Sequence, residues 1–189
     1  MKAWETFYPD VLPYIDASIP EPMVDRHLLR SAQRFCDVTR AWKIELDPIT
    51  LAANVKTYDI ELEPGTELVR LESAMLDGVS LSVWRSGVSS ASQGRYVFTS
   101  DGRIVGVSWT PSGSMTLLLT VTARPADTAT GLDDILTARY SKVIADGAVA
   151  SLTKSAADKA EFEAECATVA VQVWRSLSSA RPRAKAMFL

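Results

Sequence analysis

The chain has 189 residues, 47% of them hydrophobic and 23% charged, which excludes a disordered chain and indicates one globular domain, either alone or with appendages. Its formal net charge is −3, but the last fifteen residues carry four basic residues and no acidic one. Residues 1–174 therefore hold 16 basic and 23 acidic residues, a net charge of −7. This excess of acid argues against a protein that coats DNA, because binding to phosphates needs clustered Lys and Arg.

The N-terminal segment contains Glu5, Pro9 and Asp10 before any long apolar run, so no secretory signal peptide is predicted. The best apolar run, MTLLLTVTA, has the length of a strand and not of a membrane span. Two cysteines, Cys36 and Cys166, cannot build a disulfide framework, and they favour intracellular synthesis.

Helical signals come first along the chain. Prolines at 9, 13, 20 and 22 leave room for only one helical turn, around Trp4–Tyr8. Residues 22–42 then predict a long helix, because Pro22 suits its first turn and apolar residues recur every three or four positions. This apolar stripe consists of Val24, Leu28, Ser31, Phe35, Val38 and Trp42.

From Pro48 to Pro125 the pattern changes to alternation, which predicts a meander of about five to seven short strands. The pairs Asp77-Gly78 and Asp101-Gly102 predict two hairpin turns. Short connections favour antiparallel neighbours throughout. The polar stretch RSGVSSASQG, residues 85–94, predicts a loop or arm.

After Pro125 the helical pattern returns. Asp133 is a predicted N-cap for a second long helix, and Gly147 within that helix predicts close packing of a neighbour. Ser155 and Asp158 form a weaker capping box at the start of the last helix, which Pro182 ends or kinks.

The predicted fold class is α+β: a three-helix bundle with an inserted antiparallel β-meander and an extended C-terminal arm. The predicted domain organisation follows that order. It comprises an N-terminal segment and first helix (1–47), the meander insertion (48–125), the second and third helices (126–178) and the arm (179–189).

The sequence carries little catalytic chemistry, and no catalytic, cofactor-binding or metal-binding residue is predicted. His27 is the sole histidine and lies near an apolar stripe, which favours a packed histidine over a base and excludes a histidine-based metal cluster. No phosphate-binding glycine motif occurs. The acidic pairs Asp133–Asp134, Glu61–Glu63 and Glu161–Glu163–Glu165 look like helix N-termini or solvated faces.

Aromatic residues offer candidate contacts instead. Trp84 and Trp109 end strands beside polar loops, and with Arg85 they are predicted either to pack in the sheet or to touch another protein.

Three stretches resemble the phage head-to-tail adaptor (head–tail connector) proteins, which dock beneath the portal. The first is YPDVLPYIDASIPEPMVDRHLLRSAQRFC (8–36), with a VLPY loop before a proline-flanked helix. The second, DPITLAANVKTYDIEL (47–62), is similar to the family's strand–turn–strand. The third, ILTARYSKVIADGAVASL (135–152), is similar to its second long helix.

The resemblance implies a structural protein of the virion head–tail junction, made in the host cytoplasm and acting in genome ejection. Family members form a homo-oligomeric ring, usually of twelve copies, that joins the portal protein to a tail nozzle, tube or terminator. DNA passes through the lumen without specific binding, and neither a membrane nor a cofactor is implied.

The resemblance also implies a role for the basic C-terminus as a portal-binding arm, because C-terminal segments of the family commonly reach along the portal. The expected contacts are charged side chains to acidic groups and apolar side chains to a pocket. The arm residues are Arg175, Arg181, Arg183, Lys185, Met187, Phe188 and Leu189. The alternative to an adaptor is a small cell-wall hydrolase or other accessory tail enzyme that would use one of the acidic pairs.

Overall fold

The computed structural model describes residues 1–84 and 94–179, with side chains as far as Arg175 at the C-terminal end. The chain divides into two compact units. The helical unit contains Met1–Ala41 and the chain from Asp133 onwards, and the sheet unit contains Trp42–Leu132.

Four α-helices lie in the helical unit, together with short 3₁₀ turns at Trp4–Phe7 and Leu12–Tyr14. The helices are α1 (Tyr8–Val11), α2 (Glu21–Thr39), α3 (Asp134–Thr153) and α4 (Ala156–Ser179). The described strands are β1 (Lys2–Ala3), β2 (Lys43–Glu45), β3 (Ile49–Leu51), β4 (Thr57–Asp59), β5 (Thr66–Leu76), β6 (Val79–Val83), β7 (Tyr96–Thr99), β8 (Ile104–Val107), β9 (Met115–Pro125) and β10 (Gly131–Leu132).

The helical unit buries one apolar face of each long helix, where α2, α3 and α4 pack against one another. The rings of Phe35 and Tyr140 stand 4.9 Å apart at their centroids, which joins α2 to α3. Full burial of each large side chain stabilises the fold by about 1.5–3 kcal/mol. The most buried side chains of the three helices include Val24, Leu28, Phe35, Leu136, Ile144 and Cys166.

Local sequence sets the helix ends. The Asp133 carboxylate accepts a hydrogen bond from the Ile135 backbone N–H at 2.8 Å, which confirms the predicted N-cap of α3. The backbone N–H of Asp158 donates to the Ser155 hydroxyl at 3.3 Å, which confirms one half of the predicted box at α4. Helix α2 ends at Thr39 because Arg40 adopts the left-handed conformation, with φ of 53°.

The eight-stranded sheet has the order β2-β9-β5-β6-β7-β8-β4, and β3 pairs with β9 beside β2. Strand β9 is central, because β5 follows one of its sides while β2 and β3 share the other. Two register shifts in the β5–β9 pair are of the kind that bends strands, and the sheet curls into a half-barrel. The hydrophobic core of the sheet unit includes Leu51, Leu71, Val97, Val105, Leu117, Leu119 and Val121.

The predicted fold class, a three-helix bundle with an inserted antiparallel meander, is wrong. The protein is a mixed α/β structure with four helices in which the curled eight-stranded sheet dominates. Two strands, β5 and β9, are each 11 residues long and pair along most of their length, so they form the centre of a large sheet. The alternation of apolar residues indicated strands correctly but gave no measure of how many would share one core.

The prediction of an entirely antiparallel meander is also wrong, because β6 and β7 pair in parallel. Their connection, residues 84–95, has about a dozen residues, which is enough for a chain to return and run in the same direction. Strand β9 does not pair with β8, the strand before it in the sequence, and pairs instead with β5, β2 and β3.

Both predicted hairpin turns are present. Asp77 and Gly78 have φ angles of 47° and 83° between β5 and β6, the left-handed pair that a tight two-residue turn requires. Gly102 has φ of 76° in the connection between β7 and β8. The Asp101 carboxylate accepts hydrogen bonds from the backbone N–H groups of Arg103 and Ile104, both at 2.9 Å, and these bonds lower the pKa of Asp101.

Candidate functional site

Helix α4 carries apolar side chains on two different faces. Phe162 and Cys166 lie on the face that packs against α2 and α3, and they are 6% and 0% exposed. Val171 lies about half a turn round the helix from that face and Trp174 about a quarter of a turn, and they are 46% and 70% exposed. Trp174 has the highest exposed fraction of the large apolar side chains in the described part of the chain. A solvent-exposed tryptophan of this kind is typical of a protein–protein contact.

A groove of about 330 Å³ lies between α3, the first half of α4 and the turn that holds Tyr14. Val149 and Phe162 supply apolar surface, and Tyr14 is 68% exposed at its side. The remaining lining residues are charged, and acids outnumber bases: Asp146, Asp158, Glu161, Glu165 and Lys142. The groove therefore combines an apolar floor with an acidic rim.

Asp146 is a partly buried carboxyl that lines this groove. Burial raises its pKa, Lys142 lowers it, and the negative charges of Asp10 and Glu161 raise it further. Beside the groove, Glu163 accepts two hydrogen bonds from the Arg34 guanidinium, at 2.9 and 2.8 Å. These bonds and the Arg34 charge lower the pKa of Glu163.

The predicted portal-binding arm lies almost entirely outside the described residues. This applies to Arg181, Arg183, Lys185, Met187, Phe188 and Leu189. Arg175 is described, and it lies exposed on α4 next to Trp174. The role of the arm stays a prediction.

The predicted contact residues of the sheet unit differ in exposure. Trp84 is 38% exposed and meets Phe98 edge to face, with ring centroids 6.5 Å apart. Trp109 is half-buried against the sheet core, and Arg95 lies over its ring at 5.5 Å. Its buried Nε1 has no hydrogen-bond partner among the described residues. Arg85 lies outside the described residues, and the contact role of all three predicted residues stays a prediction.

The acidic pairs that an enzyme would use have local structural roles in part. Asp133 caps α3, Asp134 lies 3.3 Å from the N-terminal ammonium group of Met1, and Glu163 binds Arg34. Glu161 and Glu165 line the groove. Sequence reasoning identified these two as members of an acidic run, but it missed Asp146, which comes from another helix.

His27 packs between two helices, and both cysteines are buried. His27 Nδ1 and the Ser151 hydroxyl are 2.8 Å apart and join α2 to α3, and burial and the nearby Arg30 and Arg26 lower the histidine pKa. Cys36 and Cys166 are buried free thiols. Burial raises the pKa of Cys166 to about 11, which keeps it protonated and unreactive.

A larger cleft of about 840 Å³ lies within the sheet unit, at the N-terminal end of β5. Its charged residues have both signs: Asp59, Glu63, Glu67, Asp101, Asp127, Arg103 and Arg124. Glu67 and Arg124 face each other across β5 and β9 and form an ion pair at 3.1 Å. Sequence reasoning missed this cleft, since only the strand register brings the two residues together. The mixed charge favours no class of ligand.

Within residues 1–84 and 94–179, no group of three or more His, Cys, Asp or Glu is placed to hold a metal ion. Among the described helices, none has the length and apolar character that crossing a membrane requires. No protein-family model and no curated protein sequence matches the chain.

Proposed function

We propose that this chain is a structural adaptor of a phage virion, forming a ring of about twelve copies beneath the portal protein and joining the capsid to the tail. The observation that carries the proposal is the resemblance of residues 8–36, 47–62 and 135–152 to head-to-tail adaptors. In this role the protein acts through surfaces and not through catalysis, and DNA passes through the lumen of the ring.

The apolar end of α4 supports a role in assembly. Val171 and Trp174 are exposed next to Arg175, and the ten residues after Ser179 add three more basic residues and a terminal Met187–Leu189. A helix end with bare apolar side chains that continues into a basic segment suits docking on an acidic, partly apolar partner surface. The portal protein is that partner in the proposal.

Co-sedimentation with the portal protein of the same genome tests the proposal. The full chain is compared with a chain stopped after Ser179, which loses the arm, and one stopped after Val173, which also loses Trp174. We expect the full chain to bind and both shortened chains to bind at least tenfold more weakly, because the arm supplies the basic and apolar contacts. Equal binding of all three chains would support the adaptor function but contradict the role of the arm. No binding by the full chain would refute the adaptor function.

One observation in the groove supports the alternative function, a small cell-wall hydrolase. Asp146 has a raised pKa and lies among Asp158, Glu161 and Glu165, and a carboxyl of this kind can serve as a general acid beside an ionised partner. Release of soluble fragments from purified peptidoglycan by the full chain is the test. Activity that disappears in Asp146→Asn and in Glu161→Gln would favour the hydrolase, and no release by the full chain would remove it.

A further inference from the structure

The groove of the helical unit runs along the first half of α4. The α4 residues that line it recur every three or four positions and so form one stripe on the helix surface: Asp158, Glu161, Phe162 and Glu165. Thr168 and Gln172 continue this stripe beyond the groove, and both are exposed. A solvent-accessible surface therefore leads along α4 from the groove towards the end of the helix.

The chain leaves α4 on the same side as the groove. Helix α4 ends at Ser179, and five whole turns of about 3.6 residues separate this residue from Glu161, so the two lie in line along the helix. Trp174, by contrast, follows Glu165 by about two and a half turns and lies on the opposite side. A segment that occupies the stripe would therefore leave Trp174 exposed.

The ten residues after Ser179 are long enough to reach the groove. At about 1.5 Å per residue, Glu165 and Phe162 lie about 21 Å and about 26 Å back along the axis of α4 from Ser179. Ten extended residues span about 33 Å, and a reversal of direction uses about two or three of them, which leaves about 25 Å. The end of this segment, Met187–Leu189, therefore matches the position of Phe162.

We propose that the arm beyond Ser179 folds back along this stripe and docks in the groove of its own chain, with Met187–Leu189 against the apolar floor. Val149 and Phe162 form that floor, and Tyr14 stands at its side. The rim has four carboxylates and one lysine, whereas the arm has three basic residues and no acid. Both the apolar and the charged parts of the two surfaces are therefore complementary.

The contact needs only a weak intrinsic affinity, because the arm is tethered to the helix that carries the groove. A short flexible tether gives an effective concentration of about 1 mM. A Kd of about 0.1 mM for the untethered segment would then keep the arm docked in about nine of ten copies.

The docked arm is a resting state that the portal protein has to displace. The inference rests on the proposed function in taking the arm as the portal-binding segment, since the same residues cannot occupy the groove and the portal at once. If the arm is docked in about nine of ten copies, the apparent affinity of the chain for the portal falls about tenfold. The exposed Trp174 remains available for a first contact.

Zero-length cross-linking of the full chain with a carbodiimide, analysed by mass spectrometry, tests the contact directly. The reagent joins an amine to a carboxylate that touches it, and the expected product links Lys185 to Glu165 or Glu161. Equal amounts of isotope-labelled and unlabelled chain are mixed beforehand. Links confined to one isotope support the inference, whereas links between labelled and unlabelled chains would assign the groove to a second copy. No link from Lys185 to the rim would overturn the inference.

The rate of trypsin cleavage after Arg183 and Lys185 measures the fraction of copies with a docked arm. We expect cleavage in the full chain to be about tenfold slower than in a synthetic peptide of residues 180–189, because a docked segment does not fit the protease. Met187→Ser with Phe188→Ser removes the apolar contact and should make cleavage at least fivefold faster. An unchanged rate in this variant would contradict docking of the arm in the groove.

A second variant changes the groove and leaves the arm intact. Glu161→Gln with Glu165→Gln removes two rim carboxylates and should also make cleavage of the arm at least fivefold faster. Glu61→Gln with Glu63→Gln is the matched control, since it removes the same charge from exposed residues of the sheet unit and should leave the rate unchanged. Far-UV circular dichroism checks that each variant keeps its helices.

Portal co-sedimentation of the same variants distinguishes failure of this inference from failure of the adaptor function. The groove variant should bind the portal about tenfold more tightly than the unaltered chain, because its arm is already released. If the chain binds the portal but Lys185 forms no link to the rim, the inference is wrong and the adaptor function is supported. If the link forms but the portal is not bound, the adaptor function is refuted and the contact of arm and groove is supported.

Discussion

The helical unit and the sheet unit obtain their cores in different ways. The sheet unit is one continuous segment, Trp42–Leu132, whereas the helical unit joins Met1–Ala41 to the chain after Asp133. Contacts far apart in sequence hold the helices together, among them the Ser31 hydroxyl donating to the Ile144 carbonyl at 2.7 Å. In the helical unit, the spacing of apolar residues along the sequence identified which helix face is buried. In the sheet unit, the same kind of pattern identified the strands but not which strands pair with each other.

Removing a large core side chain should have the greatest effect in either unit. Leu28 in α2 and Leu119 in β9 are 0% and 1% exposed, and each change to Ala should lower the free energy of unfolding by about 2–5 kcal/mol. Hydrogen exchange read by mass spectrometry should show faster exchange in the helices for Leu28→Ala and in the strands for Leu119→Ala. Faster exchange spread evenly over both units would mean that they unfold as one, against the division seen here.

Two glycines, one in each unit, test how tightly the two cores are packed. A Cβ at Gly147 would overlap the Ser31 hydroxyl and the buried Phe162 ring, whereas the three atoms nearest to a Cβ at Gly106 all belong to the Phe98 ring. Phe98 is half-buried and can swing outward, but Ser31 is held by its hydrogen bond to Ile144. Gly147→Ala should therefore lower the free energy of unfolding, measured by urea denaturation, by about 2–3 kcal/mol, and Gly106→Ala should lower it by about 1 kcal/mol.

Gly113→Ala is the control for both glycines, because no atom lies within 4 Å of the added Cβ. If Gly106→Ala lowers the free energy of unfolding as much as Gly147→Ala or more, the side chains of the sheet core adjust less easily to an added methyl group than those of the helical core.

The N-cap of α3 should have a smaller effect, confined to the helical unit. Asp133→Ala removes the acceptor of the Ile135 N–H and should cost about 1 kcal/mol. Asp133→Asn keeps an acceptor oxygen and should recover most of this loss in thermal unfolding. If Asn is as damaging as Ala, the carboxylate charge matters and not the cap hydrogen bond.

The smallest expected effect is the pH dependence of the Arg34–Glu163 ion pair, which links α2 to α4. The pKa of Glu163 is lowered from its ordinary value of 4.5, so the stabilisation is fully present above that pH and is lost as pH falls through the folded-state pKa. Since the two side chains are 55% and 36% exposed, solvent screening keeps the contribution below about 1 kcal/mol. The melting temperatures of the native chain and Glu163→Gln should differ slightly at pH 7 and converge on acidification.

The candidate site was predictable only in part, because its two surfaces depend on different information. The acidic run at 158–165 and the basic C-terminus are legible in the sequence. The exposure of Trp174, which is 70%, is by contrast not legible in the sequence. One position along a helix is a rotation of about 100°. Whether a residue next to the apolar stripe is buried or exposed therefore depends on how much of the helix surface the neighbouring helices cover.

The sequence by itself determined several local features: the cap at Asp133, the two Asp-Gly turns, the apolar face of α2, and the need for close packing at Gly147. These depend on neighbours a few positions away, where backbone sterics and helix period decide. Tertiary structure alone decided the place of β9 in the sheet, the parallel β6–β7 pair and the groove between α3 and α4. Those depend on which distant apolar faces bury each other best, and no local pattern encodes that choice.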